Sequence, residues 1–227
     1  MNSQRFDFTG FSRIRVERAL SIDILRADAY SVTIGDDFSR IRMEKIGDTL
    51  CIDRRSHEWF TPFQGRPHVV VTMPLLQEIT LGGACQGKVI GFQSGNDFAV
   101  RLSGACQLEF NTINAGNVKA EISGASNLSG EMSFSGEALF NISGASRVVL
   151  QGTGNNSRIM LSGASQARLG NLALRKVDLN ISGASNAQIK VSDNLDVSVT
   201  GASRLEYSGN PNIGKIQVFG ASSINHR

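Results

Sequence analysis

Eight times between Leu81 and Ile224 the chain repeats one short phrase: an aliphatic residue, a variable residue, then Gly, Ala, and Ser or Cys. The copies run from Leu81-Gly82-Gly83-Ala84-Cys85 and Leu102-Ser103-Gly104-Ala105-Cys106 to Val199-Thr200-Gly201-Ala202-Ser203 and Val218-Phe219-Gly220-Ala221-Ser222. Their glycines are Gly83, Gly104, Gly124, Gly144, Gly163, Gly183, Gly201 and Gly220, spaced 21, 20, 20, 19, 20, 18 and 19 residues apart. Self-similarity at a fixed period near twenty marks a solenoid, in which one repeat cannot bury its apolar face alone and must stack on the next.

Aligning the copies on the glycine turns the sequence into columns. Two positions before it stand Leu81, Leu102, Ile122, Ile142, Leu161, Ile181, Val199 and Val218; four before stand Ile79, Val100, Ala120, Phe140, Ile159, Leu179, Val197 and Ile216. Both columns are free of polar residues and lie two apart, which is the signature of a strand with one buried face. A second alternation follows the glycine, with Leu108, Leu128, Val148, Ala167, Ala187, Leu205 and Ile224 four after it. Each turn thus holds at least two short strands. Stacking them in parallel buries all the columns in one core, and parallel crossovers are overwhelmingly right-handed. The expected fold is all-β: a single-stranded, right-handed parallel β-helix of about eight coils. Each Gly-Ala-Ser step is its corner, where glycine supplies backbone angles a Cβ forbids and serine bonds the turn or its stacked neighbours.

Residues 1–78 lack the phrase but alternate like strands, as in Ile14 and Val16, Ile22 and Ile24, and Val32 and Ile34. They are expected to cap or start the solenoid irregularly, with residues 79–227 forming the repeats. The loop Ser56–Pro67 carries the only Trp, and Trp59, Phe60 and Phe63 make it a candidate contact patch or a seal over the first coil. At the other end, only Ser223-Ile224-Asn225-His226-Arg227 follows the last phrase, so an uncapped final coil would offer an open strand edge for homo-oligomer assembly.

The Ser-Gly-Ala-Ser copies, the strand Val69-Val70-Val71-Thr72-Met73-Pro74 leading to Ile79–Ala84, and the late Tyr207-Ser208-Gly209-Asn210-Pro211 together resemble one family. It is the bacterial and archaeal putative auto-transporter adhesin head domain, or GIN domain, and the resemblance runs from about Phe8 to Ile224. It implies a right-handed β-helix, an envelope or secreted setting, and an adhesive role toward an unknown protein or glycan. It brings no catalytic residues to transfer.

Composition narrows the alternatives. Twenty-three basic residues against 20 acidic ones, dispersed and without a patch, argue against nucleic acid. No stretch has the roughly 20 apolar residues of a membrane helix, and Met1–Asp7 has no apolar segment typical of a secretory signal, which leaves the compartment open. The histidines His57, His68 and His226 have no ligand spacing, so no metal or cofactor is expected. A carbohydrate-active β-helix enzyme is the rival reading. Its only candidate pair is Asp178 and Asp196, in one column of adjacent turns near the retaining-glycosidase separation of about 5–5.5 Å. That column also holds Lys119, Arg158 and Lys215, so the favoured reading is a salt-bridge ladder along a solvated face, with Arg158–Asp178 and Asp196–Lys215 as pairs. Cys85 and Cys106 stand in the serine column, read as reduced ladder substitutes with a disulfide as the alternative. The remaining places for a ligand are the outward columns, the Trp59 loop and the open end.

Overall fold

Alternating residues give strands here, and the corner phrases give the breaks between them. The computed structural model describes residues 4–35, 38–55 and 66–227. Among these the regular structure is all β-strand apart from one 3-10 turn at Phe38–Arg40. The strands join one twenty-stranded sheet, wound as a β-solenoid of about seven turns. That is about one turn fewer than the eight coils expected.

In the body of the solenoid, four long strands each run from one corner to the next: Asn127–Ile142, Arg147–Leu161, Gln166–Ile181 and Asn186–Val199. Most residues pair in parallel with their counterparts one turn on, and Val100, Ala120, Phe140, Ile159, Leu179 and Val197 form one continuous stack. The register slips once or twice per turn, between Phe134 and Glu137 for example, and these slips bend one long strand into successive walls. All of that stack is buried, as are Leu81, Leu102, Ile122, Ile142, Leu161, Ile181 and Val199 beside it. Full burial of an aliphatic side chain contributes about 1.5–3 kcal/mol, so stability is spread evenly along the axis.

The N-terminal part stacks out of chain order. Arg13–Val16 lies between Thr49–Arg54 and Glu78–Leu81, parallel to both. Ser21–Arg26 lies likewise between His68–Met73 and Gln86–Ile90. Between these two strands, Glu17-Arg18-Ala19-Leu20 turns a ninth corner directly beneath Gly82-Gly83, with Arg18 and Ala19 at φ 65° and 60°. Three antiparallel strands then close this end: Ile41–Ile46 on Thr49–Arg54, Ser31–Ile34 on His68–Met73, and Gln4–Phe6 on Ser31–Ile34.

Candidate recognition groove

The corners are rigid and inward-bonded, which leaves recognition to the walls. All eight corner glycines adopt φ between 75° and 84°. From the second corner on, a Cβ at each would overlap the carbonyl oxygen of the glycine one coil earlier. That oxygen accepts the N–H of the next alanine up, at 2.7 Å from Ala145 to Gly124 and 2.8 Å from Ala184 to Gly163. It also accepts the serine hydroxyl, at 3.3 Å from Ser185 to Gly163 and 3.2 Å from Ser203 to Gly183. The column is therefore a ladder of hydroxyl-to-backbone bonds rather than of hydroxyl-to-hydroxyl bonds.

Cys85 and Cys106 open that column as free, buried thiols, donating to Gly82 O at 3.1 Å and Ser103 O at 3.2 Å. A hydrogen bond to Cys106, reinforced by burial, pushes the Cys85 thiol well above its ordinary value.

The wall after the corner is concave. A groove of about 710 Å³ runs along it across six coils. One row of its lining is the stack Glu109, Ser129, Val149, Arg168, Gln188 and Glu206, the residues between the buried columns. The adjoining row is Glu131, Gln151 and Asn171. Residues in a stack repeat every ~4.8 Å, so six coils give a trough roughly 24 Å long. Gln188 donates to Glu206 at 3.0 Å, while the side chains of Glu131, Gln151 and Asn171 have no hydrogen-bonding partner among the described residues. At the far end Tyr207 stacks on His226, with ring centroids 4.7 Å apart. The sequence placed Glu109 and Glu206 in one column but gave no sign that this wall, among several, would be concave. Gly130, on this wall, has φ 141°.

The other candidates fall elsewhere. Asp178 and Asp196 are register neighbours on a different wall. Asp178 accepts from Arg158 Nε at 3.1 Å and Asn180 Nδ2 at 3.2 Å. Asp196 accepts the backbone N–H of Lys215 at 2.7 Å, where a pairing with the lysine ammonium was the sequence expectation. Both carboxylates are thus engaged in holding the wall together. Trp59, Phe60, Phe63 and His57 lie outside the described residues. His68 contacts Asp23 at 3.3 Å, and no group of three or more metal-ligating side chains occurs among the described residues. Those residues include no helix long and apolar enough to cross a membrane.

Comparison with known proteins fits this architecture. The family profile described as "Putative auto-transporter adhesin, head GIN domain" matches residues 10–211. Two solved structures described as putative adhesins superpose on the whole chain at 14% identity. One, from Parabacteroides merdae, is covered over 95% of its length with a TM-score of 0.87; the other, from Parabacteroides distasonis, over 96% with a TM-score of 0.86. A third, a "Putative lipid binding protein" from Parabacteroides distasonis, is 20% identical and is covered over 96% of its length, again against 100% of this chain, with a TM-score of 0.70. At such identities the likeness is one of fold. No curated protein matches the chain.

Proposed function

This chain belongs to the auto-transporter adhesin head GIN-domain family, and we propose that it is a non-enzymatic recognition module that holds an extended glycan in the groove along its concave wall. The observation that carries this reading is the row Glu131–Gln151–Asn171. It offers carboxylate and amide groups free of hydrogen-bonding partners among the described residues, at a ~4.8 Å rise beside Arg168, Gln188 and Glu206. A polymer rich in hydroxyls can satisfy donors and acceptors repeated along a rigid trough. The trough is preorganised because it is carried on strands paired in parallel from coil to coil, so little ordering cost falls on the protein when a ligand binds.

An enzymatic role is less well supported. Asp178 and Asp196 each hold a structural partner and line another wall. The relative described as lipid-binding suggests a lipid as a different ligand, but Val149 is the only apolar side chain in the two outward rows of the groove, which makes them a poor surface for an apolar ligand. The adhesin family description favours an encounter with the ligand at the cell envelope.

Calorimetry against soluble polysaccharides, with phospholipid vesicles as a second arm, tests the proposal. The reading expects a glycan to bind and Gln151→Ala with Asn171→Ala to weaken it at least ~tenfold at unchanged melting temperature. A panel in which no glycan binds, or binding that ignores the groove variants, overturns it. Saturable binding to vesicles alone would transfer the function to lipid.

A further inference from the structure

The last coil differs from all the others in what it leaves uncovered. Leu195, Val197 and Val199 are 1%, 3% and 0% exposed, whereas Ile213, Ile216 and Val218, stacked directly on them, are 43%, 47% and 42% exposed. Phe219 at the adjoining corner is 60% exposed. These are core columns opened to solvent. The backbone is open too: among the described residues Asn212–Val218 pairs only with Asn186–Val199, and Ser223–His226 only with Arg204–Ser208, which leaves each one edge unpaired by them. A free edge beside an open apolar core is a template for another strand.

We propose that this end is covered by the same end of a second copy, giving a tail-to-tail dimer with one continuous core. Three features select that occupant. The surface to be covered is not one edge but two, set around a single core, and another open solenoid end of equal cross-section meets both edges and the core at once. Among the described residues the opposite end differs: its outermost strands Ile41–Ile46 and Gln4–Phe6 are antiparallel additions with one free edge each, and the only large exposed hydrophobic there is Ile46, so it does not match the opened core columns of the last coil. A two-fold axis perpendicular to the solenoid makes the facing edges antiparallel, a pairing that satisfies their N–H and C=O groups and closes the assembly at two copies. The coil from Arg204 to His226 matches the roughly 20–30 residues a side of a standard stable interface.

Sedimentation velocity and small-angle scattering on the full chain test this. The expected result is a dimer from low micromolar concentration upward, with a maximum dimension close to twice that of one solenoid. Ile216→Lys and, separately, the milder Phe219→Ser should raise the dissociation constant at least ~tenfold with an unchanged far-UV spectrum. Lys45→Glu, at the closed end, should leave the dimer intact. A chain that is monomeric at every concentration overturns the proposal. So does a dimer whose length is that of one solenoid, a dimer indifferent to both C-terminal variants, or one dissociated by Lys45→Glu.

Discussion

The backbone N–H of Ser165 donates to the hydroxyl of Ser185 one coil further on, at 3.3 Å, while that hydroxyl donates to Gly163 O, also at 3.3 Å. Ser185 is 0% exposed, so no water can replace it. Ser185→Ala should therefore cost about 1–3 kcal/mol, the penalty of orphaning a buried donor. Urea unfolding reads this directly. A loss below the error of the measurement would mean that the hydroxyl column is incidental.

Corner glycines carry a larger stake. Gly144 has φ 76°, and an added Cβ would overlap Gly124 O. Gly144→Ala should cost about 3 kcal/mol or more from the left-handed backbone and the overlap together, lowering the melting temperature by roughly 10 °C. Gly170 has nothing within 4 Å of such a Cβ, and Gly170→Ala should be neutral or slightly stabilising. Equal effects at the two sites would remove the corner assignment.

Glu121 makes a charge ladder sensitive to acid. Lys119 at 2.7 Å, and then Arg101 at 2.8 Å, hold its carboxyl below the ordinary value of 4.5. Arg101 in turn also contacts Glu78, which strengthens its hold on the proton. A carboxylate whose folded value is depressed stabilises the fold above its unfolded value, and that contribution fades as pH falls through the folded one. The stability gap between the wild type and Glu121→Gln should thus be open at neutral pH and close below about 4.5. A gap constant with pH would refute the ladder.

Asp196 separates a structural carboxylate from a catalytic one. Asp196→Ala should destabilise the chain by about 0.5–1.5 kcal/mol because the N–H of Lys215 loses its acceptor, while Asp196→Asn, which keeps an oxygen there, should recover most of it. Neither change should alter glycan binding in the groove. If Asp196→Asn abolished a glycan-cleaving activity, the enzymatic reading would return.

The body of the solenoid was legible because its constraints are local. A corner that tolerates only glycine writes glycine every twenty residues, and the columns at Leu81 and Ile79 follow from period-two burial. The ninth corner was hidden because Arg18 stands where glycine is the rule. Yet Ile14, Val16, Ile22 and Ile24 hold the same offsets around it, so its columns were present without its punctuation. That Thr49–Arg54 returns to lie outside Arg13–Val16 depends on a long-range closure that no local pattern encodes. The groove was half visible: alternation told which residues point outward, but the register break after Phe110 and the φ of 141° at Gly130 on the same wall are displayed only by the folded chain.

The most direct test of the groove's role is a crystal structure of the chain with a bound oligosaccharide identified by calorimetry. Sugar rings should lie along the wall against Glu131, Gln151 and Asn171, parallel to the solenoid axis. Sugar density on the wall of Asp178 and Asp196, with the groove left empty, would contradict the assignment.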